Sequence, residues 1–268
     1  MAAAARRTII LALAVAVTAW LWALAGALFV IRWHSVPRPT PSARALFPYG
    51  EMRIGVDASS PPFAVATADD LFGLEIDLGR ALAAELGVPV RFVNMGYDGL
   101  YDSLRADQVD IVVAQLLYDP QLTASVRYTR PYYNAGLVLV SPVERALRAM
   151  ADLPGRALAY EFGGEANAET RRWLRRVLPF DQRPYELPAY ALDAVRLGQA
   201  DAALVDATSA RLYLRDHPGW QAALAPVTDS LYVIATRADR PALADRVDAA
   251  LAALEANGRL AAMINEWF

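Results

Sequence analysis

Apolar positions in this chain follow two short periods along most of its length, after one long run that has no period at all. Thr8 to Ile31 passes 24 residues without a charge and is rich in Ala, Leu and Val. As a helix rising about 1.5 Å per residue it reaches roughly 36 Å, enough for a hydrocarbon core of about 30 Å. Arg6 and Arg7 precede the run and Trp33 stands at its far edge. That arrangement keeps a short tail cytoplasmic and puts an aromatic at the outer interface. Residues 1–34 therefore read as a cytoplasmic tail and transmembrane anchor. The competing reading is a cleaved signal peptide with a small-x-small site at Ala23-Leu24-Ala25. Gly26 to Ile31 stays apolar, however, where a signal peptide turns polar. Both readings export the rest of the chain. Three prolines between Pro37 and Pro41 then make 35–50 a stiff spacer off the membrane.

Beyond the spacer the periods alternate. Met52–Val56, Val90–Val93, Ile111–Val113 and Ala135–Val140 are short β-type runs. Between them, Ile76, Leu78, Leu82 and Leu86 fall at helical spacing up to Gly87. Asp98 is placed to cap a helix carrying Leu100 and Leu104, and Asp119-Pro120 reads as a cap and first helical position. A second series follows: strands at Ala157–Tyr160, Ala202–Val205 and Tyr232–Ala235, with helices over Glu165–Val177, Leu192–Leu197, Ser209–Leu214 and Ala242–Leu254. A last helix runs to Phe268. This rhythm predicts α/β sheets with helices on both faces.

Composition narrows the chemistry. The chain has 26 basic and 29 acidic side chains, no cysteine, and two histidines, His34 and His217. Every basic residue is arginine. No disulfide, thiolate nucleophile, cysteine zinc site, Schiff-base lysine or Walker-type phosphate loop can be built from this set. The first 44 residues hold five arginines and no acid, which leaves a net charge of −8 beyond them. An acidic body argues against nucleic acid as a partner.

Eight short motifs then stand in one order. They are Arg53-Ile-Gly-Val-Asp57 with Pro61-Pro62-Phe63; Gly73-Leu-Glu-Ile-Asp77-Leu78; Tyr97-Asp98-Gly-Leu100; Gln108-Val-Asp110-Ile111; Tyr128-Thr-Arg-Pro131-Tyr132; Gly163-Gly164; Asp201-Ala-Ala-Leu-Val-Asp206; and Asn257-Gly258-Arg-Leu260 to Trp267. Over Met52–Phe268 this resembles the extracytoplasmic solute-binding proteins of bacterial family 3, the polar-amino-acid receptors of ABC importers. The resemblance implies a two-lobed α/β clamp of the type II periplasmic-binding-protein kind, preceded by the transmembrane helix. Lobe 1 is expected over 51–136 and 232–268, and lobe 2 over 137–231. It further implies capture of an amino acid or cationic amine by lobe closure and delivery to an ABC transporter membrane subunit. The lipid bilayer is a partner through residues 8–31. No cofactor, metal ion, nucleic acid or catalytic residue is expected.

Carried over position by position, the resemblance assigns ligand contacts to Asp57, to Tyr97 as the stacking aromatic, and to Ala114, Gln115 and Leu116 beside a ligand carboxylate. Glu161, Gly164 and Glu165 match the lobe 2 loop, and Asp206 matches the acid that holds an α-ammonium. Leu122 is a departure: the family has an arginine there that grips the ligand carboxylate. Its loss predicts a cleft that favours cations, unless Arg127 or a lobe 2 arginine replaces it. Two plainer readings stay open. Asp57 also suits a turn, and Asp206 also suits a cap on the helix after it. Asp77 and Asp110 read as structural caps, and His217 as a turn residue. The alternative function is a cyclohexadienyl or arogenate dehydratase on the same fold, with Glu161 or Glu165 as general acid.

Overall fold

The computed structural model describes residues 18, 20, 22–24 and 42–268. Most of the anchor expected over 8–31 lies outside the described residues; Thr18, Trp20 and Trp22–Leu24 are helical and exposed. Among the described residues no helix is long and apolar enough to cross a membrane.

Residues 43–268 form one compact unit built on two five-stranded sheets. In the first sheet Met52–Val56 (β1) is buried at all five positions. Ser59–Ser60 (β2), Ala64–Ala66 (β3) and Leu71–Phe72 (β4) form a small antiparallel sheet after it, and β1 pairs in parallel with β5 (Val90–Asn94) and β6 (Ile111–Leu117). Antiparallel β13 (Leu231–Arg237) and β7 (Val126–Asn134) complete the order β5-β1-β6-β13-β7. The strand period of two sorts the side chains of β6. Ile111 and Val113 enter the core under α2 (Leu74–Leu86) and α7 (Pro241–Ala256), while Val112, Ala114 and Leu116 enter the core under α3 (Leu100–Arg105). A helix, α8 (Arg259–Trp267), closes the first of these cores with Leu260 and the terminal Phe268.

The second sheet repeats the scheme as β10 (Asp181–Tyr185), β9 (Ala157–Glu161), β11 (Ala202–Asp206), β8 (Leu137–Pro142) and β12 (Ala222–Pro226). Val138, Val140, Ala203 and Val205 face α5 (Pro188–Arg196) and α6 (Ala207–Asp216). Leu137, Leu139, Leu158 and Leu204 face a core that holds Ala166 of α4 (Glu165–Trp173). The two sheets are the centres of two lobes.

The chain passes between lobes twice, and the crossings lie side by side. The Ala135 N–H donates to Ser230 O at 2.9 Å, and the Leu137 N–H to Thr228 Oγ1 at 2.9 Å. Asn134 bridges both crossings, accepting from the N–H groups of Gly136 and Ser230 and donating to Asp229. Tyr133 adds a hydroxyl contact to Thr208 at 3.2 Å, and Arg215 donates to Trp267 O at 3.1 Å.

In the two five-stranded sheets three strands escape the sequence pattern, β7, β10 and β12, and all three are sheet edges. An edge strand buries fewer side chains and tolerates proline, so Val126–Asn134 carries Pro131 and two arginines and shows no clean alternation. The expected helix over Glu165–Val177 ends at Trp173 and tightens into i→i+3 turns ahead of Pro179. Asp98 does not cap: it lies inside a 3-10 turn, Tyr97–Gly99, with no side-chain cap bond. Asp119 does cap, accepting from the Gln121 N–H at 2.8 Å. Leu46 and Phe47, within the stretch read as spacer, are buried in the lobe 1 core behind α1 (Ala43–Leu46).

Candidate functional site

Parallel strands deliver their carboxyl ends to one rim of each sheet, where loops leave room for a ligand. In lobe 1, β1 runs out at Val56 and hands over to Asp57. This carboxylate is half-buried, and its Oδ1 accepts from the Ser59 N–H at 3.1 Å and the Ser59 hydroxyl at 2.7 Å. Ser60 reaches Gln115 Oε1 at 3.4 Å, which joins this loop to the end of β6. Asp57 thus has the turn role that its sequence also suits, and it stays partly open to solvent.

Gln115 has φ +54°, in the left-handed region that a side chain rarely occupies. Its N–H turns down into the lobe and donates to Glu75 Oε1 at 2.7 Å and to the Tyr132 hydroxyl at 3.1 Å. A ligand carboxylate therefore does not find that N–H free. Ala114 and Leu116 bury their side chains in the core, so only their backbone can face the cleft. Leu122 packs against the same core. Arg127, the arginine nearest to Leu122 in sequence, donates to Asp245 of α7 at 3.1 Å.

Glu75 is the residue that sequence reasoning missed. It is fully buried, and its Oε2 has no hydrogen-bond partner. Tyr132 donates its hydroxyl to Oε1. Burial pushes the carboxyl up to about 7, although Tyr132 and the Gln115 N–H pull against it; Asp57 pushes it further up. The helix enters at Gly73, whose φ is +129° and where a Cβ would lie 2.3 Å from Phe63 O, so no other residue fits this turn. A signal was present in the sequence. Glu75 lies on the helical row of Leu78, Leu82 and Leu86, an acid on an apolar stripe.

In lobe 2, Glu161 ends β9 and is half-buried. A Cβ on Gly164 would lie 3.1 Å from Glu161 Oε2, so the glycine lets that carboxylate lie close. Glu165 is exposed at the first position of α4. Asp206 ends β11, is half-buried, and caps α6 by accepting from the Ser209 N–H at 2.8 Å.

Charges of both lobes converge on Tyr232 of β13. Its phenol is pushed up to about 12, by burial first and then by Glu75, Tyr133, Asp206 and Tyr97. Tyr97 is exposed, and its phenol is raised by burial, then by Tyr128, Glu75 and Asp57. Asp57 thus acts on Glu75 and Tyr97, and Glu75 and Asp206 both act on Tyr232, which puts these groups and Gln115 in one neighbourhood. Tyr118 packs edge-on against Tyr128 at 5.3 Å, extending the aromatic wall. This rim offers carboxylates at strand ends of both sheets to a positive charge, and rings for stacking. Among the described residues no group of His, Cys, Asp and Glu side chains is placed to hold a metal ion.

The family model of bacterial extracellular solute-binding proteins, family 3, matches residues 52–268. The chain is similar to ABC transporter arginine-binding protein 1 of Escherichia coli K12, at 27% identity over 81% of this chain and 90% of that protein. It is similar to the L-arginine-binding protein of Pseudomonas aeruginosa, at 27% identity over 81% of this chain and 87% of that one. A solved ancestral cationic amino acid solute binding protein matches with a TM-score of 0.62 and 27% identity, over 85% of this chain and 100% of that one.

Proposed function

The chain belongs to the bacterial extracellular solute-binding proteins, family 3, and on that basis we propose that it captures a small cationic solute between its lobes and presents it to the membrane subunit of an ABC importer. The observation that carries the cationic reading is the chain of acids in which Asp57 acts on Glu75, and Glu75 and Asp206 act on Tyr232, with leucine at position 122 and Arg127 paired with Asp245. In this reading Asp206 takes an ammonium, Asp57 takes the charge at the far end of the solute, and Tyr97 stacks on it. A ligand carboxylate, where there is one, meets the backbone N–H groups around Gly164 and Glu165 rather than that of Gln115. Lobe 1 comprises 51–136 and 232–268, lobe 2 comprises 137–231, and closure is a hinge motion at the paired crossings. The arginine-binding relatives support the same solute class.

Titration calorimetry tests this. Arginine, lysine or a simple diamine binds, and glutamate and aspartate do not. Asp206→Asn weakens arginine by about 2 kcal/mol or more, roughly thirtyfold, because an ammonium is left unpaired in a closed cleft. Tight glutamate binding that Asp206→Asn barely changes overturns the reading. Conversion of prephenate or arogenate to an aromatic product, lost in Glu161→Gln or Glu165→Gln, favours a dehydratase instead.

The same proposal places the binding lobes outside the cell membrane on an anchor at 8–31. Full-length protein stays with the membrane after a high-salt wash, and deletion of 8–31 releases it. A mature chain starting at Gly26 in mass spectrometry replaces the anchor with a cleaved leader.

A further inference from the structure

We propose that Glu75 is a proton-linked positioning residue: it holds the Gln115 backbone from beneath the cleft, and capture of a cation above it expels its proton. The class of ligand rests on the cationic reading just given; the proton does not.

The geometry is specific. One carboxyl oxygen of Glu75 accepts both the Gln115 N–H and the Tyr132 hydroxyl, while the other is buried with no partner. The groups that face it come from every element around it. They are Asp57 at the end of β1, Gln115 on β6, Tyr132 on β7, Tyr232 on β13, and Tyr97 in its 3-10 turn. None of these is a cation. A buried carboxylate with an unpartnered oxygen and an acid as neighbour is costly, so the empty cleft favours a proton on Oε2. Oε1 then still accepts from Gln115, and the φ of +54° at that residue stays supported in both states.

A cation bound beside Asp57 reverses the balance. It offsets the negative charge at Glu75, the Oε2 proton leaves to solvent, and no other bond is made or broken. The Gln115 N–H bond becomes charge-assisted and shorter, which stiffens the rim while solute is held. By linkage, what expels the proton must bind more tightly once the proton is gone. Affinity for a cation therefore rises with pH between about 6 and about 8. The rise is about tenfold for each unit by which the cation lowers the carboxyl midpoint. The burial-raised midpoint of about 7 puts this switch in the physiological range.

The test uses the full-length protein in detergent. Infrared difference spectra without ligand are expected to lose a protonated-carboxyl band as pH rises through about 7. The band is absent in Glu75→Gln. In Tyr132→Phe its midpoint moves up, since the tyrosine bond favours the charged form. Arginine calorimetry in buffers of different ionisation enthalpy is expected to show proton release near neutral pH. In Glu75→Gln that release is lost and the affinity no longer varies with pH. His34→Gln and His217→Gln control for the two histidines, and both keep the release. Proton release unchanged in Glu75→Gln overturns the proposal. Arginine that fails to bind at any pH overturns the cationic reading alone, and the ligand-free spectra then decide: a band that titrates with Glu75 upholds the switch, and its absence sinks it.

Discussion

Asp110→Ala is expected to lower the unfolding free energy by about 3–5 kcal/mol, the usual cost of removing one partner from a buried ion pair. Asp110 has a fully buried side chain, and Arg53 is nearly as buried beside it. The carboxylate accepts from the Arg53 N–H at 2.9 Å, from Arg53 Nε at 3.1 Å and Nη2 at 3.0 Å, and from Arg240 Nη1 at 2.7 Å. Arg240 also donates to Leu46 O, and Tyr49 lies 4.2 Å beneath the Arg53 guanidinium. One carboxylate thus ties β1, the start of β6, the start of α7 and the segment after α1 together. Its removal takes the buried counter-charge from Arg240 and leaves Arg53 with the half-buried Asp107 at 3.2 Å.

Burial alone would push the Asp110 carboxyl up, but Arg53 and Arg240 hold it below the usual carboxylate range. A folded value below the unfolded one means that its stabilisation is complete above the ordinary carboxylate range and fades as pH falls through and below it. Urea titrations at neutral pH and in acid check both parts. Wild type loses stability in acid faster than Asp110→Ala does. A neutral-pH loss under about 1 kcal/mol, with equal acid limbs, shows that the pair contributes no net stability.

Gly136→Ala is expected to cost about 3 kcal/mol or more, at the upper end for overpacking. A Cβ there would lie 2.0 Å from Thr228 O and 2.6 Å from Thr228 C, with the Asp229 Cα at 2.9 Å. All three are backbone atoms of the returning crossing, so no side chain can swing away. The two crossings must part, and the hydrogen bonds of Asn134 and Leu137 across them stretch with them. Thermal unfolding shows the loss, and X-ray scattering shows a changed distribution between open and closed forms with ligand. Gly219→Ala is the control: a Cβ at Gly219 meets nothing within 4 Å, so its effect stays within about 0.5 kcal/mol. Equal melting of the two variants would mean that the close approach at 136 relaxes freely.

The sequence by itself determined the interior of both lobes. β1, β6, β8, β9, β11 and β13 are read from apolar runs because an interior strand is covered on both faces. The order of short motifs identified the family, and with it Asp57 and Asp206 at strand ends. Glycine at 73 was in the motif, but its necessity is visible only where the Phe63 carbonyl meets it. The tertiary structure alone decided the rest. Edge strands β7, β10 and β12 owe their conformation to a neighbour on one side, so no local period marks them. The cleft is decided at longer range still. Glu75 meets Gln115 from 40 residues away and Tyr132 from 57, and Asp110 meets Arg240 across 130. Arg127, which the local pattern leaves free to replace the missing arginine, pairs with Asp245, 118 residues on. A local pattern encodes how much of a side chain is buried. Which charge it is buried against depends on distant segments, and that sets whether a carboxyl is a counter-ion, a cap or a proton store.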